Sequence, residues 1–295
     1  MGRFMANSTI KPPKLGIIAG QGPLPIALAS AAQAAGRDVF VVGLEGESDP
    51  AIDRFPHAWV PMGAMGRFLK LLKDEACEEI VMVGPIVRPD LSKIRPDMVG
   101  LKLLPRFVRL LRQGDDGLLR GIVDFLEKDH GFRVVAPEQV SADLRAPAGV
   151  LTKAGPTGAQ QVDIDRAMAV LSALGPLDVG QGVVVCRGVV LAVEASEGTD
   201  AMLDRVATLD PAIRGTADAR DGVLVKQPKA GQERRIDLPT IGIRTVDKAA
   251  AAGLAGIAVE AGGALIYDVT ATVRAANAHG LFIVGLDPNK SGPVS

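Results

Sequence analysis

Apolar residues along this chain fall into short runs, separated by glycine, proline and charge, that alternate between strand-like and helix-like spacing. Residues 14–20 read as a buried strand. A glycine- and proline-bearing turn follows, and the alanine-rich stretch 26–35 reads as a helix ended by Gly36. A second strand is predicted over 39–42, a helix over 65–77, a strand over 79–84, helices over 101–111 and 118–128, and a strand over 132–136. The pattern then restarts. A helix is predicted over 161–174, and a hairpin pairs 182–186 with 189–193 around Arg187 and Gly188. A helix follows to about 209, with Thr199 as its expected N-cap. A strand over 223–225, a helix over 245–253, a strand over 256–259, a helix over 269–278 and a strand over 281–284 complete the pattern.

This order predicts two α/β domains. The opening strand, glycine turn, helix and strand are those of a Rossmann-like unit, in which a helix N-terminus faces phosphate. The expected layout is a flexible N-terminus over 1–13, a Rossmann-like N-terminal domain over 14–145, a linker over 146–160 and a C-terminal α/β catalytic domain over 161–295. The active site is expected in the cleft between them. Gly16, Gly20 and Gly22 do not complete a dinucleotide fingerprint, and no phosphate loop of the Walker type occurs.

Composition narrows the function classes. Hydrophobic residues make up 47% and aromatics 3%, so aliphatic side chains and alanine build the core. With 33 basic and 34 acidic residues the net charge is −1, which gives no global attraction to nucleic acid. Cys77 and Cys186 lie in or near apolar runs and read as buried thiols. No run reaches the length of a membrane span, so a cytoplasmic protein is expected. The basic, apolar helix 101–111 suits either a neighbouring domain or an anionic lipid surface.

His57, His130 and His279 lack ligand spacing, and neither a zinc module nor a Gly-x-Ser-x-Gly elbow is present. Carboxylates, bases and amides remain, concentrated over 194–242 beside apolar strands. They are the groups of a magnesium-assisted phosphoryl site. Asp237 is the first metal or base candidate. Lys226, Lys229 and Arg235 are expected to hold a diphosphate, Gln232 and Thr240 to orient it, and Glu197 and Asp200 to add carboxylates. Arg88, past the end of a strand, is a phosphate candidate, and Asp115 and Asp116 read as helix-capping acids or a metal site. The opposing reading has Glu197 and Asp200 capping their helix and Asp237 paired with Arg235.

The residues Gly20 to Pro25, Asp116 to Arg120, Glu194 to Arg205 and Val225 to Gly242 together resemble the LpxI family of UDP-2,3-diacylglucosamine pyrophosphatases, over about 14–285. The resemblance implies magnesium-dependent hydrolysis of UDP-2,3-diacylglucosamine to 2,3-diacylglucosamine 1-phosphate (lipid X) and UMP in lipid A biosynthesis. Water would attack the phosphorus nearer the sugar. It further implies a homodimer. Peripheral contact at the cytoplasmic face of the inner membrane is a separate expectation, left open by the basic helix 101–111. Carried over by position, Gly20 and Gly22 occupy the amino-terminal motif. Glu197, Gly198, Thr199 and Asp200 occupy the acidic motif. Lys226, Lys229, Gln232, Arg235, Asp237, Pro239 and Thr240 occupy the basic-acidic motif. The site expected on this basis has Asp237, Glu197, Asp200 and Lys226 as catalytic residues and Asp237 with Asp200 as metal ligands. Gly20, Gly22, Arg88, Thr199, Lys229, Gln232, Arg235 and Thr240 would contact substrate. Ala230 and Glu233 depart from the family pattern. The rival expectations are a nucleotide-sugar or polar-lipid binding protein without turnover, and a Rossmann-like oxidoreductase.

Overall fold

The computed structural model describes residues 12–86, 94–111 and 114–289. Arg88 and the N-terminal 1–11 lie outside the described residues. Contacts divide the chain into two compact α/β units, one drawn from 1–113 and 120–141, the other from 114–119 and 142–295.

The first unit contains β1 (Leu15–Ala19), α1 (Leu24–Ala34), β2 (Val39–Leu44), β3 (His57–Val60), α2 (Met65–Asp74), β4 (Glu79–Val83), α3 (Met98–Leu111), the second half of α4 (Asp115–Asp124), β5 (Arg133–Val134) and α5 (Pro137–Val140). Its strands form one parallel sheet in the order β3-β2-β1-β4-β5. Every residue of β1 is buried, as expected for a central parallel strand covered on both faces. Pro25 lies in the first turn of α1, where a missing N–H costs nothing, so the predicted helix starts earlier than its apolar spacing suggests.

Where β1 ends, Gly20 donates its N–H to Val83 at 2.8 Å, and Gln21 donates to the Pro85 carbonyl at 2.8 Å. A Cβ on Gly20 would collide with the backbone carbonyl of Gly84. Gly20 is thus required by the close passage of two chain segments. Gly22, by contrast, adopts φ +82° in open space. Gly20→Ala is expected to destabilise the protein by about 1–3 kcal/mol, because the obstacle is backbone and cannot rotate away. Urea unfolding measures this, and an unchanged midpoint would contradict the close approach.

The second unit contains β6 (Gly149–Val150), α6 (Gly158–Leu174), β7 (Gly182–Cys186), β8 (Val189–Val193), α7 (Gly198–Ala207), β9 (Val223–Lys226), β10 (Thr240–Ile241), α8 (Ile243–Ala251), β11 (Gly256–Glu260), β12 (Leu265–Ile266), α9 (Val269–His279) and β13 (Phe282–Leu286). Its main sheet runs β6-β13-β11-β9-β7-β8, with β13, β11 and β9 mutually parallel. The strands β6, β7 and β8 join it by antiparallel pairing. Alternating residues divide the core. Val183, Val185, Val223 and Val225 pack on Ile164, Ala167 and Leu171 of α6. Val184, Leu224, Ile257 and Ile283 pack with Met202, Leu203, Val246, Ala249 and Ala276, from α7, α8 and α9.

Residues 146–160, expected as a linker, hold two short regular stretches. Ala146 is buried and donates its N–H to Ala264 at 2.9 Å, Gly149 and Val150 form an edge strand on β13, and α6 begins at Gly158. The helix starts there because Thr157 and Gln160 form a reciprocal capping box. Among the described residues no helix is long and apolar enough to cross a membrane.

Candidate functional site

The polar stretch gathers beside the carboxyl end of β9. From Lys226 the chain runs through turns to β10, with Gln232 donating its N–H to Lys229 and Asp237 to Glu233, both at 3.2 Å. Gln232 is only 7% exposed and works in both directions. Its Oε1 accepts the Lys229 N–H at 2.7 Å, and its Nε2 donates to Asp237 Oδ2. Gln181, just before β7, donates Nε2 to Asp237 Oδ1 at 3.5 Å, while its own Oε1 is buried without a hydrogen-bond partner among the described residues. Gln227, whose N–H donates to the Gln181 carbonyl at 3.0 Å, has a second such orphaned Oε1. Buried acceptors left unsatisfied cost free energy, so the two oxygens are receptive to a donor or a hard cation.

Charge in this cluster is arranged around Lys229. Burial pushes the Asp237 carboxyl above the ordinary aspartate value of 3.8, against the downward pull of Lys229 and the bonds from Gln232 and Gln181. For Lys229, burial alone acts to lower its pKa. The hydrogen bond and charge of Asp178, with the charges of Asp237 and Asp116, outweigh burial and raise it above 10.5. The Lys229 ammonium is held directly by Asp178 Oδ1, and Asp178 Oδ2 accepts the Asp116 N–H at 3.4 Å. Asp178 takes the left-handed conformation, φ +57°, one that aspartate tolerates better than most residues.

Lys226 forms a second centre. It is 4% exposed, and among the described residues no carboxylate lies within ion-pair distance of it. Its Nζ donates to Thr199 Oγ1 at 2.7 Å and to the Thr240 carbonyl at 3.4 Å. An ammonium carries three donors, so one N–H has no protein acceptor among the described residues. A buried cation in this state is stabilised by an arriving anion.

The other expected residues have other partners. Asp200 Oδ2 pairs with Arg244 at 2.6 Å, and Glu197 Oε1 lies 3.4 Å from Arg205. The Arg235 guanidinium is forked by both oxygens of Glu233, each at 2.9 Å, rather than paired with Asp237. Thr199 is not an N-cap: Glu197 holds that position without a side-chain cap, and the Thr199 hydroxyl instead joins Lys226 to Glu194. Thr240 contributes its carbonyl to Lys226, while its hydroxyl donates to the Leu238 carbonyl at 3.2 Å. Among the described residues no three His, Cys, Asp or Glu side chains gather to hold a metal by themselves. Both cysteines are free and buried, and burial pushes each thiol up to about 11, which leaves them inert.

Sequence reading did not select Asp178, Gln181, Glu194 or Gln227 as site residues. One signal was present: Gly180 and Gly182 flank Gln181 at the entrance to β7, a spacing that marks a close backbone approach.

Comparison with known proteins agrees over most of the chain. The profile of the LpxI N-terminal domain matches residues 14–144, and that of the LpxI C-terminal domain matches 147–284. The UDP-2,3-diacylglucosamine pyrophosphatase LpxI of Caulobacter vibrioides is 50% identical over 277 residues, 94% of this chain and 99% of that protein. Among solved structures, the N5-carboxyaminoimidazole synthase of Aspergillus clavatus aligns at 13% identity with a TM-score of 0.22, over 63% of this chain and 41% of that one. Glycinamide-RNase-transformylase T from Mycobacterium tuberculosis aligns at 14% identity and a TM-score of 0.22, over 60% and 43%. Those two likenesses are too slight to carry an argument. On the strength of both domain profiles and the half-identical relative, the chain belongs to the LpxI family.

Proposed function

We propose that this enzyme hydrolyses the diphosphate of UDP-2,3-diacylglucosamine, giving 2,3-diacylglucosamine 1-phosphate (lipid X) and UMP, with magnesium as cofactor. The observation that carries the reading is the buried Lys226 ammonium, with one donor unspent, in the same unit as the Asp237–Lys229 group. The 50% identity to a protein named for this reaction supports the substrate. Water oxygen bonds to the phosphorus nearer the sugar, the bond from that phosphorus to the bridging oxygen breaks, and the bridging oxygen leaves with UMP. Lys226 and Lys229 offset the negative charge that grows on the phosphate oxygens. Asp237, its pKa raised by burial, accepts a proton from the attacking water more readily than an exposed aspartate.

The donor set fits magnesium shared with the substrate. The Asp237 carboxylate and the buried Gln181 and Gln227 side-chain oxygens would offer it hard oxygen ligands, too few to hold it without substrate and water. When bound, the ion supplies Lewis acidity to the diphosphate. Asp200 joins it only on release from Arg244. Arg235 and Glu197 contribute to substrate binding or catalysis only on similar exchange of Glu233 and Arg205.

The proposal includes a Rossmann-like N-terminal unit, which the parallel order β3-β2-β1-β4-β5 supports. It also includes a homodimer touching the cytoplasmic face of the inner membrane. The exposed Met98, Val99 and Leu101 on α3, beside Lys102 and Arg106, suit that contact.

Purified protein should release UMP from UDP-2,3-diacylglucosamine with magnesium and stop on chelation. Substrate binding without release under either condition would favour a non-catalytic binding protein and sink the proposal.

A further inference from the structure

The proposed reaction gives Lys226 a task but leaves Glu194 without one. Glu194 follows β8, is 7% exposed, and is not in an ion pair among the described residues. Its Oε1 accepts the Thr199 hydroxyl at 2.8 Å, and its Oε2 is buried without a hydrogen-bond partner among the described residues. A buried carboxylate used at one oxygen is costly to keep, and its surroundings are shaped to keep it. Glu194 donates its N–H to the Gly182 carbonyl at 2.8 Å. A Cβ on Gly182 would stand 2.5 Å from Oε2, and one on Gly180 would strike the Glu194 carbonyl. Both glycines therefore clear the space this side chain and its backbone occupy.

The consequence lies in the single proton of the Thr199 hydroxyl. A threonine hydroxyl rotates freely and has one hydrogen to give. With that hydrogen donated to Glu194, the lone pairs of Oγ1 face Lys226, whose Nζ stands 2.7 Å away. Lys226 is then fixed by Thr199 and by the Thr240 carbonyl, and its third N–H has one direction left. We propose that Glu194 is a positioning residue, which sets the Thr199 hydroxyl so that Thr199 aims the spare Lys226 N–H at a phosphate oxygen of the substrate. The proposal rests on the reading of Lys226 as a diphosphate ligand. The relay runs through hydrogen-bond direction: an amide oxygen in place of the carboxylate serves as well.

The test is a double-mutant cycle in kcat/KM for UMP release by the full-length magnesium-loaded enzyme. Thr199→Val, which is nearly isosteric, and Glu194→Met are each expected to lose about 10- to 100-fold, the rate equivalent of one hydrogen bond to a charged group. The double variant should lose no more than the worse single variant, since both cut one path. Glu194→Gln and Thr199→Ser should return to within about threefold of the parent, because each restores its part of the acceptor chain. Losses that add in the double variant, full activity in Thr199→Val and Glu194→Met, or a Gln variant as poor as the Met variant would each overturn the relay. A purely structural Glu194 would lower the melting temperature and give additive losses. Lys226→Met, assayed alongside, separates the two levels. If it is fully active, the diphosphate reading of Lys226 fails. If it is inactive while Thr199→Val and Glu194→Met are not, only the relay fails.

Discussion

Asp237→Asn is expected to lower kcat/KM by about 10³-fold or more, the scale of a lost general base or metal carboxylate, while leaving the fold intact. The same change should also alter how stability depends on pH. Burial raises the Asp237 carboxyl above 3.8, so the native state holds this proton more tightly than the unfolded chain. The stability that follows is fully present below the unfolded value and is lost as pH rises through the folded one. Once deprotonated, Asp237 is a buried, disfavoured carboxylate, a state asparagine never enters. Melting curves from pH 4 to pH 8 should show the variant gaining on the wild type as pH rises. A variant that keeps near-normal turnover, or one that loses relative stability toward neutral pH, would contradict this role.

Lys226→Met is expected to lose about 10²- to 10³-fold in kcat/KM, since the buried ammonium would meet developing phosphate charge in a site of low dielectric. Its effect on stability should be null or favourable, by as much as about 1–3 kcal/mol, because an apolar chain of similar length removes a buried charge that has no carboxylate partner among the described residues. The lost bonds to Thr199 and the Thr240 carbonyl act against that gain. Urea unfolding without substrate, set beside the kinetics, measures both sides. A strongly destabilised variant would mark Lys226 as a structural residue.

The fold was legible where periodicity and turn chemistry agree. The hairpin predicted over 182–186 and 189–193 is β7 and β8 to the residue, because continuous apolar runs flank Arg187 and Gly188, both at positive φ. Short strands escaped. Two-residue β6, β10 and β12 owe their pairing to partners far along the chain, which no local window contains. β3 was missed too, since it is only four residues long and opens on His57, which leaves a short apolar run. Residues 146–160 look like a linker by their glycine and proline content, yet the sheet edge on β13 recruits Gly149 and Val150.

The candidate site was legible as a stretch and not as a geometry. Density of charge pointed to 194–242, and within it Asp237, Lys229 and Gln232 do converge, as do Lys226, Thr199 and Thr240. Partner choice was not legible. Glu233 lies two residues from Arg235 and takes its guanidinium, where the sequence suggested a diphosphate or Asp237. Asp178 and Gln181 reach the cluster from the turn before β7, about fifty residues upstream, and only tertiary pairing of β7 with β9 brings them there.

Hydrolysis in water enriched in oxygen-18 tests the central claim most directly. Purified protein is mixed with UDP-2,3-diacylglucosamine and magnesium, and both products are weighed by mass spectrometry. The account predicts release of UMP without label and of 2,3-diacylglucosamine 1-phosphate carrying one labelled oxygen. Label in UMP, or no cleavage at all, would contradict it.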